Sequence, residues 1–301
     1  MLSSLDPAAQ RFLDTLNRIG DRMGRAQRQI STGLKVTQVS DAPAAVPLIL
    51  AARANVNTTQ QILTNLGRVK SEVDAGEQAL QSAVQVFDQV QTLGAQGDTD
   101  TQTAEGRAVL AQQLDSLLQQ LVGLADTTVE GRYIFTGDSD QQIPYTYTPG
   151  QAVPLSAYLG SNSTRLVQHP NGTTFPIALT AQQIFDSADP TTNVFAAVQN
   201  LSTAFRNNDM TAIQTAVNAL SKVGGYLNTQ LAQYGNAQNK IAAAVDFGKT
   251  LQVQLANQLS NLEDADLTEA ILEMTQSQTQ QQAALESRAR LPRSTLFDFL
   301  G

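Results

Sequence analysis

Residues 5–33 decide the fold: LDPAAQRFLDTLNRIGDRMGRAQRQISTG. Within them Leu5, Ala9, Phe12, Leu16, Ile19, Met23, Ala26 and Ile30 follow one another at spacings of 4, 3, 4, 3, 4, 3 and 4. An unbroken heptad seam of this kind predicts a helix packed along its length on another helix. Ser31-Thr32-Gly33 ends it, with Gly33 a natural left-handed cap. A single helix with one apolar stripe is marginal in water, so this arm needs a partner, and none lies next to it in sequence.

Outward from that arm, Ser40-Asp41-Ala42-Pro43 predicts a second helix start, a capping side chain followed by Pro in the first turn. A second seam then runs Ile62, Leu66, Val69, Val73, Gly76, Leu80, Ala83, Phe87 and Val90, which reads as ordinary intramolecular core. Gly94 to Asp100 reads as a turn-rich break. Leu110, Leu114, Leu117, Leu121 and Leu124 make a third helix running back against the second.

Near Glu130 the character changes. Tyr133-Ile134-Phe135 is a short β-type run, and from there to about Asp189 the chain collects prolines and glycines. Tyr145-Thr146-Tyr147-Thr148 alternates before Pro149-Gly150, and Pro170-Asn171-Gly172 separates Arg165-Leu166-Val167 from Phe175-Pro176-Ile177. These are hairpin signals, and they predict a small β module inserted between helices. Helices return at Val194, Val198, Leu201 and Phe205, pause at Asn207-Asn208-Asp209, and continue from Ile213 through heptad positions to Leu262. After Asp264 a last seam runs Leu267, Ile271, Met274, Gln278, Gln281 and Leu285, and Leu296-Phe297-Asp298-Phe299-Leu300 closes the chain. The simplest partner for one terminal seam is the other.

The expected fold is therefore mainly α: long N- and C-terminal coiled-coil helices and a helical rod domain, with a small inserted β domain. Residues 1–42 with 262–301 are the expected terminal helical assembly domain, 43–142 with 188–261 the rod, and 143–187 the β insert. Leu5, Phe12, Leu16, Ile19, Met23 and Ile30, with Leu267, Ile271, Met274 and Leu285, are the expected subunit-assembly residues because they lie at the chain ends. The arms are expected to order fully when they pack on each other and on neighbouring subunits.

Composition removes whole classes of function. The 301 residues contain no Cys and a single His, so disulfides, thiolate chemistry and clustered imidazole ligands are excluded. The formal net charge is −8 with no basic run, which argues against nucleic acid and anionic membranes. The apolar run from Ala42 to Ala52 is too short to span a bilayer, and no cleaved secretory signal opens the chain. His169 with Ser163 and Asp186 could be imagined as a triad, but His169 precedes Pro170 in an expected turn and reads better as a solvated loop residue. Gly137-Asp138-Ser139-Asp140 and Gly97-Asp98-Thr99-Asp100 lack the later bidentate Glu of a calcium loop and read as turns. Glu263, Asp264 and Asp266 read as the charged start of the last helix. No catalytic, metal or cofactor site is expected.

The two ends resemble the flagellin superfamily of bacterial flagellar axial proteins. Ile30-Ser31-Thr32-Gly33-Leu34-Lys35-Val36 followed by Ser40-Asp41-Ala42-Pro43-Ala44-Ala45 is similar to its N-terminal motif, and Leu262-Glu263-Asp264-Ala265-Asp266-Leu267-Thr268-Glu269-Ala270 to its C-terminal one. Pro47, and Ala42 where flagellins usually carry a second Asp, are departures. Gly131-Arg132-Tyr133-Ile134-Phe135-Thr136-Gly137, the helix pair around Asn193 to Asp209, and the ending Ser294 to Leu300 resemble the hook–filament junction family, hook-associated protein 3. That resemblance implies a non-enzymatic structural protein, exported unfolded without a cleaved signal to the extracellular flagellum. It implies a ring-like homo-oligomer meeting the hook-side junction protein and flagellin, and an export chaperone that masks the C-terminal region, with Leu296, Phe297, Phe299 and Leu300 as part of its contact. A short flagellin is the nearest alternative. A ligand-binding protein using the β insert is a more distant one.

Overall fold

The computed structural model describes residues 7–151 and 154–289. Its elements are α1 (Pro7–Thr32), α2 (Val46–Gly97), α3 (Ala104–Ala125), β1 (Thr128–Val129), β2 (Arg132–Tyr133), β3 (Leu166–Gln168), β4 (Thr174–Pro176), α4 (Ala181–Phe185), α5 (Val194–Asn207), α6 (Met210–Glu263) and α7 (Leu267–Ala289). The protein is mainly α, with two small antiparallel sheets, β1–β2 and β3–β4. It divides into two compact units, residues 1–58 with 252–301 and residues 59–251.

In the central unit α2 and α6 lie antiparallel. Leu63 meets Gly248, Gly76 the ring of Tyr234, Phe87 the side of Gly224, and Gly94 the side chain of Leu220. Each glycine admits a bulky side chain of the facing helix, so the two backbones approach closely. The seam from Ile62 to Val90 is buried as the sequence predicts, with Leu66, Leu80, Ala83 and Val90 fully enclosed. α3 packs on α5, where Asp115 accepts from the Ser202 hydroxyl at 2.8 Å and pairs with Arg206. Aromatic residues of the inserted segment join the same core: Phe185 stacks on Phe195 at 5.5 Å, and Tyr145 meets Phe195 edge-on at 5.3 Å.

The expected hairpin around Pro170 is present, pairing Leu166 with Pro176, Val167 with Phe175 and Gln168 with Thr174. The alternating tyrosines make a single bridge, Tyr147 to Leu155. A third hairpin, β1–β2, includes Tyr133 of the expected β-type run, but its partner strand Thr128–Val129 and its turn have no counterpart in the sequence reading. Its two-residue turn is Glu130-Gly131, both at positive φ (51° and 76°), the primed turn that matches strand twist.

Two helix boundaries differ from expectation. α2 does not break at Gly94 but runs to Gly97; Gly94 lies where a Cβ would crowd the side chains of Leu220 and Leu201, at 3.1 and 3.3 Å, so it serves packing rather than a turn. The turn that follows is organised by Arg107, which is only 5% exposed. Its guanidinium donates to Gly97 O at 2.8 Å, Thr99 O at 2.9 Å and Asn208 Oδ1 at 2.6 Å. At the other end, Ser40 and Asp41 do not cap α2, which begins at Val46 with Pro47 in its first turn. Asp41 instead closes its own loop, accepting from Thr37 N–H at 3.1 Å, the Thr37 hydroxyl at 2.9 Å and Gln38 N–H at 2.9 Å.

Candidate assembly surface on the terminal helices

In the terminal unit α1 and α7 form an antiparallel pair. The Arg288 guanidinium sits 5.6 Å over the Phe12 ring, Arg22 lies 3.7 Å from Glu273, and Gly33 O accepts from Ala265 N–H at 2.9 Å. The two end motifs, read separately in the sequence, meet here. Lys35 N–H donates to Glu263 O at 2.5 Å, Leu34 bridges Asp264, and Arg53 gives both Nε (2.9 Å) and Nη2 (2.5 Å) to Glu263 Oε2. Gly33, at φ +71°, supplies the left-handed turn that aims its carbonyl at this contact. Asp266 caps α7, accepting from Thr268 and Glu269 N–H, so the expected helix-start chemistry holds for that residue; Glu263 instead ends α6 and pairs with Arg53, and Asp264 accepts from the Ser260 hydroxyl.

Asp41 holds the neighbouring loop as a carboxylate. Burial alone pushes its pKa up. Hydrogen bonds from the Thr37 hydroxyl and the Gln38 and Thr37 amides, with Arg28 3.9 Å away, outweigh that and leave the pKa below the usual carboxylate value.

On α1 the inner face carries Phe12, Leu16, Ile19, Met23, Ala26 and Ile30, with Ile19 and Ala26 buried and the others half-buried. On α7 the inner face is Ala270, Met274, Ser277, Gln281 and Ala284, again at heptad spacing. Leu267, Ile271 and Leu285 are not part of it and stand about half exposed. Ile271 and Leu285 each follow an inner-face residue by one position, which rotates them about 100° around the helix. Leu13, Gly20 and Gly24 follow inner-face residues of α1 in the same way. In an antiparallel pair of right-handed helices these flanks lie on the same side. That side carries Leu13, Gly20, Gly24, Ile271, Gln278 and Leu285, and the Arg28 guanidinium reaches over Gly24 at one end of it.

The opposite side carries the residues one position earlier: Arg11, Arg18, Arg22 and Arg25 on α1, Glu269 and Glu273 on α7. The pair is therefore ionic on one side, while the other sets Leu13, Ile271 and Leu285 among the uncharged polar residues Asn17, Gln27, Thr275, Gln278 and Gln282. A side chain at Gly20 would meet nothing within 4 Å, so the side with Leu13 is open there. The glycines and the arginine row escaped the sequence reading, although reading one position either side of the seam finds them. Leu5 and the C-terminal Leu296, Phe297, Phe299 and Leu300 lie outside the described residues.

Exposed large apolar side chains concentrate in this unit, where Val39, Leu48, Leu50 and Val253 join those on α1 and α7. At its start α2 is apolar on every side, the pattern of a helix that ends up enclosed. The other sequence candidates have local partners. His169 Nδ1 accepts from Asn171 N–H at 3.1 Å, while Asp186 accepts from Asn193 Nδ2 at 2.9 Å and from the Tyr145 hydroxyl at 3.4 Å. Asp140 pairs with Arg132 at 3.3 Å. Among the described residues no group of three or more acidic or imidazole side chains could hold a metal ion, and no helix is long and apolar enough to cross a membrane.

Residues 5–140 match the bacterial flagellin N-terminal helical region, and residues 210–300 the bacterial flagellin C-terminal helical region, together well over half of the chain. The chain belongs to the flagellin superfamily. Within that superfamily it is 27% identical to flagellar hook-associated protein 3 of Escherichia coli K12, over 89% of this chain and 90% of that one. It is 26% identical to flagellar hook-associated protein 3 of Salmonella typhimurium, over 86% of each. Flagellins match more distantly. Among solved structures, flagellar hook-associated protein 3 of Legionella pneumophila shares the fold, with a TM-score of 0.62 at 13% identity, covering 71% of this chain and 98% of that one.

Proposed function

We propose that this chain is a structural subunit of the bacterial flagellum, of the hook-associated protein 3 type, and that it joins hook to filament. Its similarity to those proteins runs the length of the chain. The observation that carries the mechanism is the two-sided α1–α7 pair. One side is already served by ionic contacts such as Arg22–Glu273, and the other leaves Leu13, Ile271 and Leu285 in water. Exposed apolar side chains at heptad spacing on a helix call for another helix.

In this reading the subunits form a ring through the side that carries Leu13, Ile271 and Leu285. Phe12, Leu16, Ile19, Met23, Ile30 and Met274 build the pair, while Leu267, Ile271 and Leu285 meet the neighbour. One edge of the ring receives the hook-side junction protein and the other seats the first flagellin subunits. Before assembly an export chaperone covers the C-terminal region that contains Leu296, Phe297, Phe299 and Leu300. The chain leaves the cell without a cleaved signal. The work is mechanical adaptation between two partners and requires no catalysis.

Deleting the gene in the source organism tests this. Bare hooks with flagellin lost into the medium are expected. Bare hooks with no flagellin anywhere would make the chain a short filament subunit, and normal filaments would overturn the proposal. Ile271→Asp with Leu285→Asp should reproduce the deletion while the purified monomer keeps its unfolding midpoint, because both side chains are already solvated.

A further inference from the structure

The tip of the β3–β4 hairpin holds Asn171-Gly172, the one Asn-Gly pair in the sequence. His169 N–H donates to Thr173 O at 2.7 Å and Gly172 N–H to His169 O at 2.9 Å, closing a three-residue loop with Gly172 at φ +92°. Asn171, Gly172 and Thr173 are all exposed. Asn171 Oδ1 accepts both from Thr173 N–H (3.0 Å) and from the Thr173 hydroxyl (2.7 Å). Two donors on one oxygen polarise the side-chain carbonyl. The bond to the amide two residues on folds that carbonyl back over the Gly172 peptide. Beside the loop, the His169 ring lies on Phe247 of α6 with centroids 5.2 Å apart. Pro170 fills the notch at Gly248, its Cγ 3.0 Å from where a Cβ would stand. The tip is thus latched onto α6 by the residues on the N-terminal side of Asn171.

We propose that Asn171 is a site of spontaneous deamidation and that the modified hairpin tip releases from α6. The Gly172 backbone nitrogen, having given its proton to hydroxide, attacks Asn171 Cγ. The N–Cγ bond forms, the Cγ–Nδ2 bond breaks, and the leaving nitrogen takes a proton and departs as ammonia. Water then opens the five-membered imide at one of its two carbonyls. One product is Asp; the other is isoaspartate, in which the main chain runs through the former side-chain carbon. Overall one water enters and one ammonia leaves, with nothing oxidised or reduced. Glycine suits the attack because no Cβ stands beside the nitrogen. Isoaspartate adds a methylene to the main chain of a three-residue loop. The His169–Thr173 closure and the Thr173 contacts to Asn171 can then no longer form together, and the His169–Phe247 contact loses its anchor.

Peptide mapping with isoaspartate detection tests this on the full chain, incubated in mildly alkaline buffer at physiological temperature. Asn171 should convert several-fold faster than Asn162, which is also exposed but is followed by Ser163. The converted fraction should exchange amide hydrogens over 166–176 several-fold faster, with α3 unchanged. Conversion no faster than at Asn162 overturns the site, and unchanged exchange in the converted fraction overturns the release. Asn171→Gln, whose longer side chain cannot close the same ring, must keep its hairpin exchange rate through the incubation; a rise there overturns the chemistry.

Discussion

Gly67 and Gly76 sit nine residues apart in the same helix, and the same substitution at each should shift stability in opposite directions. A methyl group at Gly67 meets nothing within 4 Å, whereas at Gly76 it falls 2.5 Å from Cε1 and 3.2 Å from Cδ1 of Tyr234. Tyr234 cannot step aside. It is 3% exposed, packs edge-on against Phe135 at 6.0 Å, and directs its hydroxyl at Leu179 O at 3.5 Å. Replacing an exposed helical Gly by Ala gains about 0.5–1 kcal/mol, and Gly67→Ala should deliver that. Gly76→Ala has the same gain but forces a methyl into a filled core, which costs about 1–3 kcal/mol. The net loss is about 1–2 kcal/mol. For a unit of this size that lowers the thermal midpoint by about 2–8 °C, against a rise of about 1–4 °C for Gly67→Ala. Urea and thermal unfolding followed by circular dichroism measure both. Tyr234→Leu combined with Gly76→Ala should lose less than the two single changes added together, as contacting residues do. A Gly76→Ala protein that unfolds at or above the parent midpoint would refute the packing account.

Arg107→Met should cost about 1–3 kcal/mol, because the buried Gly97 O loses its donor and the more exposed Thr99 O and Asn208 Oδ1 lose theirs; hydrogen exchange over 97–103 should speed up with it. Burial pushes the Asp126 carboxyl up to about 6, only partly opposed by the Tyr145 amide, so the folded state holds its proton more tightly than the unfolded chain does. Its penalty is absent below about pH 4, grows as pH rises through 4 to 6, and is complete above that. Asp126→Asn should therefore stabilise the protein by about 1–2 kcal/mol at pH 7, a difference that vanishes in acid. Asp41 has the opposite sign: its lowered pKa means a contribution present above about pH 4 and lost as pH falls through the folded value. Asp41→Asn should raise amide exchange at Thr37 and Gln38 at neutral pH by about 1 kcal/mol equivalent, with no difference in strong acid.

What the sequence made legible follows from how much each feature depends on local chemistry. The α1 seam and the Leu66 to Val90 stripe are large apolar residues at helical spacing, and nothing else fits that pattern. The Pro170-Asn171-Gly172 loop is legible because each of its residues pre-sets one backbone angle. By contrast, three of the five inner-face positions of α7 are the small residues Ala270, Ser277 and Ala284, set between Met274 and Gln281. A reading that follows hydrophobicity alone drifts to Ile271 and Leu285, one position away. The Glu130-Gly131 turn was hidden because Glu is an uncommon residue at positive φ; only the neighbouring glycine and the closure around it hold it there. Gly94 looked like a helix break, but its role is to make room for Leu220, a residue far along the chain. Asp41 had the composition of a cap and used it on its own loop.

The contact between Gly33 and Ala265 has a temporal meaning as well as a spatial one. The partners are separated by about three quarters of the chain, and the intervening 59–251 form a compact unit of their own. Any process that delivers this polypeptide from its N-terminus, whether synthesis or threading through a narrow conduit, releases α1 first and α7 last. The middle can close while α1 still waits. Under such delivery the first of these helices to emerge is the last to find its partner.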